Sequence, residues 1–118
     1  MTGVQTCALP ISCILLEKAA TLKKELYVAL LLDRENEKIC LIASCNGGMD
    51  IEEVAIQDPL SIKKIWIDPL VGLRSYQLRN LAIELELENT LHNKFISIVQ
   101  PLYRAFIELD ASLVEINP

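Results

Sequence analysis

The last seven residues of the chain, Ser112-Leu113-Val114-Glu115-Ile116-Asn117-Pro118, alternate polar and apolar side chains. This alternation predicts a β-strand, because successive side chains of a strand point to opposite faces. Val114 and Ile116 then face a core, whereas Glu115 and Asn117 share the other face. A carboxylate and an amide on one face suit a hard cation such as Mg²⁺. An ordinary solvated strand end is the alternative that these residues alone leave open.

Composition narrows the class of protein. The 118 residues suffice for one domain, and 52% of them are apolar, which is high for so small a domain. We therefore expect a piece of a larger protein that leaves interior surface bare. The net charge of −5 gives no support for nucleic-acid binding. No apolar run approaches the roughly 18 residues of a membrane span.

The four cysteines, at positions 7, 13, 40 and 45, show no C-x-x-C spacing, and the chain has one histidine. This pattern excludes the usual zinc sets and favours reduced thiols.

The first residues do not fit the pattern of the rest. Residues 2–11, TGVQTCALPI, resemble one translated frame of a sequencing adaptor. We predict that residues 1–12 are an artefactual or disordered head, and a flexible N-terminal tail is the alternative. On both interpretations residues 1–12 are not part of the predicted domain.

The first half of the remaining chain predicts strands. Ile14 to Glu17 is a short apolar run that we predict to be a strand. Residues 25–44 predict a hairpin around the turn at 33–37, although the alanine and leucines of its first arm would also suit a helix. Asn46-Gly47-Gly48 predicts a sharp turn, because glycine reaches positive φ at little cost.

The second half alternates helices and strands. Asp50 and Glu53 have the spacing of a capping box that opens a short helix, and residues 62–67 predict a strand. Two packed helices are predicted at about 76–87, capped by Ser75, and at about 90–109. Pro101 is expected to kink the second. The predicted fold class is α/β (α+β) with a mixed sheet.

Several blocks of sequence occur in the order found in one family. They are Ile14-Leu-Leu-Glu17, Lys24-Glu-Leu-Tyr27, Asp33-Arg34, Ala43-Ser44 with Gly47-Gly48, Ile67-Asp-Pro-Leu70, Tyr76-Gln77 and Glu115-Ile-Asn-Pro118. On these blocks residues 13–118 resemble the central ATP-grasp portion of the β subunit of succinate–CoA ligase (succinyl-CoA synthetase). Malate–CoA ligase and ATP-citrate lyase share this architecture. The resemblance implies a partial ATP-grasp domain.

The resemblance also implies a function. The family is an acid–thiol ligase of the citric acid cycle that couples ATP/ADP or GTP/GDP, with Mg²⁺, to succinyl-CoA/succinate interconversion through a phosphohistidine on an α subunit. The expected partner is that α subunit, in a heterodimer or heterotetramer, with CoA and succinate bound by parts outside this chain. The expected location of the protein is the cytoplasm of a bacterium, in preference to a mitochondrial matrix. We expect the chain alone to be inactive.

Residue roles follow from the resemblance. Glu17 resembles the residue beside the adenine, Ala20 a main-chain nucleotide contact and Glu25 the carboxylate that accepts from the ribose. Asn117 resembles a Mg²⁺ ligand. Glu115 resembles the acid near the incoming phosphohistidine, where an anion can orient imidazole. Without the resemblance, Glu17 and Glu25 would be ordinary exposed carboxylates.

A second interpretation comes from another class: a small non-catalytic nucleotide-binding or interaction domain. Geometry tests the shared site that the first interpretation needs. Glu115 and Asn117 should emerge on one face and look towards a cleft bordered by Glu17 and Glu25. Cys45 and Asn46 depart from the threonine and acidic residue usual before Gly-Gly, so the resemblance assigns that turn no role.

Overall fold

The computed structural model describes residues 10–117, so most of the predicted head, residues 1–9, lies outside the described residues. Residues 10–12 are exposed and belong to no helix or strand. The described chain forms one sheet and three α-helices, in the order β1 (Tyr27–Asp33), β2 (Lys38–Ser44), α1 (Ile51–Gln57), β3 (Ile62–Ile67), α2 (Ser75–Glu84), α3 (Asn89–Glu108) and β4 (Leu113–Ile116), with a short 3₁₀ turn (Pro59–Ser61) before β3.

The strand order is β3-β2-β1-β4, and every neighbouring pair is antiparallel. The fold class is therefore confirmed, but the sheet is not mixed. The hairpin explains the first pair: the Asp33 carboxylate accepts hydrogen bonds from the backbone N–H groups of Glu35 and Asn36 and closes the turn. β4 reaches the other side of β1 after α2 and α3, and it runs antiparallel to β1.

The core lies between one face of the sheet and the two longer helices. Its buried members are Val28, Leu30, Leu41, Ala43, Ile67, Leu73, Leu78, Leu81, Ala82, Leu85, Phe95, Val99 and Phe106. Both predicted helices are thus confirmed. α3 continues through Pro101. The proline side chain is exposed, so the ring does not lie in the contact between the helix and the core. No helix among residues 10–117 is long and apolar enough to cross a membrane.

Part of the opposite face of the sheet is also buried. Tyr27, Ala29, Cys40 and Ser44 point to it by strand alternation, and all four are buried. Val54 of α1 is buried as well. The N-cap of α1 is Asp50, whose side chain accepts from the N–H of Glu52.

Two local predictions were wrong. Residues 14–17 form no strand, and Ile14, Leu15 and Leu16 are 74, 82 and 85% exposed. A short apolar run becomes a strand only when another strand pairs with it, and no strand among residues 10–117 does so. The N-cap of α2 is Arg74 and not Ser75. Gln77 Oε1 accepts from the Arg74 N–H (3.0 Å), and the Ser75 hydroxyl accepts from Gln100 Nε2 (3.0 Å).

Candidate functional site

Three segments meet at one end of the sheet because its strands are antiparallel. Tyr27 at the start of β1 pairs with Ser44 at the end of β2, and Val28 pairs with Ile116 near the end of β4. The residues just before β1, the turn after β2 and Asn117 after β4 therefore share this end.

Glu115 lies on the side of the sheet opposite α2 and α3. It pairs with Ala29, whereas its neighbour Val114 pairs with the core residue Leu30. The Tyr27 hydroxyl donates to Glu115 Oε2 at 2.9 Å. Burial, followed by the hydrogen bond to Glu115 and the Glu115 charge, raises the pKa of Tyr27 to about 12. Tyr27 therefore stays a neutral donor that holds the carboxylate in place.

A glycine turn connects the two sides of this end. The Gly48 N–H donates to Asn117 Oδ1 at 3.2 Å, and the Gly47 N–H donates to the backbone oxygen of Glu25 at 3.3 Å. The segment before β1 is therefore hydrogen-bonded to Gly47, and the segment after β4 to the adjacent Gly48.

An open cavity of about 390 Å³ lies at the same end, between the segment before β1 and the turn after β2. Its lining residues are Leu22, Lys23, Lys24, Glu25, Cys45, Asn46, Gly47 and Met49. The ammonium of Lys24 donates to the backbone oxygen of Leu85 at 2.8 Å, and the Cys45 thiol donates to the same oxygen at 3.0 Å. Both walls of the cavity are thus fastened to the C-terminal end of α2.

The five residues predicted to form the site are only partly brought together. Glu115 and Asn117 lie at this end, and Glu25 lines its cavity. Glu17 and Ala20 lie in exposed chain without secondary structure. No hydrogen bond described for residues 10–117 joins either to the other three. Glu25 thus lines a cavity that neither Glu115 nor Asn117 lines, and the shared cleft stays a prediction.

Three contributors were missed by sequence reasoning. Tyr27 holds Glu115, Lys24 anchors the cavity wall, and Gly48 holds Asn117. Gly48 carried a signal, since a glycine pair predicts a turn. Its partner lies 69 residues away, and no local pattern identifies it.

The donor atoms present are compatible with Mg²⁺ as a sparsely coordinated ion. Among residues 10–117 no group of three or more His, Cys, Asp or Glu residues could hold a metal by itself. Mg²⁺ usually keeps several waters and takes one or two protein oxygens together with phosphate oxygens. An amide oxygen has two lone pairs, so Asn117 Oδ1 can accept from Gly48 and still offer a ligand atom. The Glu115 carboxylate adds negative charge on the same strand.

The fold agrees with the comparison to protein families. The family model described as ATP-grasp domain matches residues 3–118, which is nearly the whole chain. The chain belongs to the ATP-grasp family. The match begins inside the predicted head, and the boundary at residues 12 and 13 stays a prediction.

Individual relatives share one name, the β subunit of ADP-forming succinate–CoA ligase. The chain is 50% identical to that of Alkaliphilus oremlandii over 108 residues, which is 92% of this chain and 28% of the relative. It is 48% identical to that of Pelobacter propionicus over 105 residues (89% and 27%) and 44% identical to that of Syntrophotalea carbinolica over 117 residues (99% and 30%). The chain thus spans less than a third of the length of these relatives.

Proposed function

We propose that this chain is the central ATP-grasp portion of a succinate–CoA ligase β subunit and forms part of its nucleotide and Mg²⁺ site. The observation that carries the proposal is the identity of 44–50% across 89–99% of the chain to relatives bearing that name. The meeting of Glu25, Glu115 and Asn117 at one end of the sheet supports it. The relatives' name favours succinate over malate and ADP over GDP.

Each residue has a distinct role in this proposal. Glu17 and Ala20 lie beside the base, and the Glu25 carboxylate accepts from the ribose hydroxyls. Asn117 holds Mg²⁺, which would neutralise phosphate charge. Phosphoryl transfer depends mainly on positioning and charge neutralisation, so these residues need to hold their partners in place more than to react.

Glu115 faces a different partner. As an anion held by Tyr27, it can orient an incoming imidazole and favour its protonated form. The proposed partner is the histidine-bearing α subunit in the cytoplasm of a bacterium. The same role assigns CoA and succinate to parts of the enzyme outside this chain.

A chimaera tests the proposal. Residues 13–118 replace the matching segment of the Alkaliphilus oremlandii subunit, which is produced with its α subunit and assayed for succinate-dependent CoA thioester formation. Asn117→Ala should raise the KM for Mg²⁺-nucleotide about tenfold, because an oxygen ligand is lost. Glu115→Gln should leave that KM unchanged and slow phosphorylation of the α-subunit histidine about 100-fold. Glu108→Gln, a carboxylate change at the exposed end of α3, is the matched control and should change neither.

The chimaera experiment also has a clear negative result. An inactive chimaera that assembles normally, or full activity of both site variants, would overturn the assignment. The 118-residue chain alone should form no thioester, since the catalytic groups of such a site act only when held together. Turnover by the chain alone would contradict the proposal that it is part of a larger catalytic unit.

A further inference from the structure

The turn between β2 and α1 approaches the segment before β1 more closely than any side chain would allow. A Cβ atom on Gly47 would lie 2.7 Å from the carbonyl carbon of Glu25 and 2.7 Å from the backbone nitrogen of Leu26. These distances are far below van der Waals contact, and the obstacles are backbone atoms that cannot rotate away. Glycine at position 47 is therefore a condition for the hydrogen bond from its N–H to the Glu25 oxygen.

Side chains and backbone geometry fix the turn on its other sides. The Asn46 N–H donates to the buried Ser44 hydroxyl at 3.1 Å, and Asn46 Nδ2 donates to the Ser61 hydroxyl at 3.1 Å. Gly48 has a φ of 71°, in the left-handed region that favours glycine. The direction of the Gly48 N–H bond is thus set by contacts within the fold.

We propose that the Gly47-Gly48 turn is a positioning element that sets the metal-binding amide of Asn117 relative to the ribose-binding carboxylate of Glu25. The inference rests on the proposed function. The Gly48 N–H selects the oxygen of the Asn117 amide and occupies one of its lone pairs, which leaves the other directed to a cation. Hydrogen bonds to a ligand's unused positions orient it in metal sites generally. Because the Gly47 N–H donates to the Glu25 backbone oxygen, a displacement of the turn away from Glu25 changes the position of Asn117 relative to Glu25.

Paramagnetic broadening by Mn²⁺, used as a probe for Mg²⁺, tests the proposal in the isotope-labelled chain itself. In the unsubstituted chain Mn²⁺ should broaden the NMR signals of the Asn117 side-chain amide and the Gly48 N–H before others. Gly47→Ala should raise the Mn²⁺ concentration for half broadening about tenfold, because the turn must leave Glu25. Gly72→Ala is the matched control. Its φ is 75°, and a Cβ there would meet no atom closer than the Tyr103 hydroxyl at 3.6 Å. It should leave the Mn²⁺ midpoint unchanged.

Thermal unfolding of each variant separates positioning from stability. If the two variants lower the melting temperature equally, the inference requires that Gly47→Ala shift the Mn²⁺ midpoint and that Gly72→Ala leave it unchanged. If Gly47→Ala does not fold, Ser44→Ala decides, since it removes the acceptor of the Asn46 N–H without crowding and should raise the midpoint in the same direction. Unchanged midpoints in the folded variants would overturn the inference and leave the metal role of Asn117 intact. Absence of broadening at Asn117 in the unsubstituted chain would overturn both.

Discussion

Tyr27 pairs a buried phenol with the carboxylate of Glu115, so its proton is bound more tightly in the folded chain than in the unfolded one. Its pKa rises from 10.0 to about 12. A raised pKa contributes stability that is fully present below pH 10 and is lost as the pH rises towards 12. We expect alkaline unfolding of the chain to track this loss.

Tyrosinate absorbance measured against pH, together with circular dichroism, checks this prediction. Tyr27→Phe should remove an ionisation near pH 12 and flatten the dependence of unfolding free energy on pH between 10 and 12. Tyr76→Phe is the control, because the Tyr76 side chain is exposed. Identical titration curves for the two variants would show that the Glu115 contact does not hold the proton.

The side of the sheet that Glu115 faces could be predicted from the sequence, because alternation along a strand is a local property. Val114 packs against the core, and Glu115 lies on the other side of the sheet. Its hydrogen-bond partner Tyr27 could not be predicted. Tyr27 is 88 residues from Glu115, and only the strand order β1-β4 brings them together.

At the scale of elements, a prediction was correct where the residues that determine the element lie close together in the sequence. The hairpin was predictable since Asp33 closes its own turn and both arms lie nearby in sequence. Residues 14–17 have the same apolar character, but a strand needs a neighbour, and sequence composition does not supply one. The prediction of a Ser75 cap was wrong because α2 has Arg74 as its N-cap, where the Gln77 side-chain oxygen accepts from the Arg74 N–H.

Lys24 joins two elements that are distant in sequence, and this contact is testable. Its ammonium donates to the Leu85 oxygen at the C-cap of α2, where a cation also meets the negative end of the helix dipole. Lys24→Met should lower the free energy of unfolding by about 1 kcal/mol.

Urea unfolding measures the effect of Lys24→Met, and the adjacent Lys23→Met is the control with the same change of charge. Lys24→Met should have a lower free energy of unfolding than Lys23→Met, by most of the loss predicted for Lys24→Met. Hydrogen exchange should also speed up at the end of α2 in Lys24→Met alone. Equal stability of both variants would mean that the hydrogen bond from the Lys24 ammonium to the Leu85 oxygen does not stabilise the fold.

At the scale of the whole molecule, the core described above does not cover all apolar surface. Ile14, Leu15 and Leu16 form a contiguous exposed run, and the helix-side groove of about 160 Å³ beside Leu26 is lined by further apolar residues, Leu87, Leu91, Phe95 and Ile98, with Lys94. Contiguous apolar patches mark contact surfaces, whereas scattered single residues do not. The bare surface expected from composition is therefore present.

We expect the isolated chain to associate reversibly as its concentration rises, because contact between apolar patches removes them from water. Changing Ile14, Leu15 and Leu16 together to asparagine should shift the equilibrium towards monomer, because it removes three consecutive exposed apolar side chains without touching the buried core. Leu70→Asn is the control: Leu70 is 94% exposed, but it stands on a short loop whose turn is closed by the Asp68 carboxylate. Sedimentation velocity over a range of concentrations gives the result. A chain that stays monomeric throughout, or that associates as strongly after the triple change as before it, would show that residues 14–16 are not the associating surface.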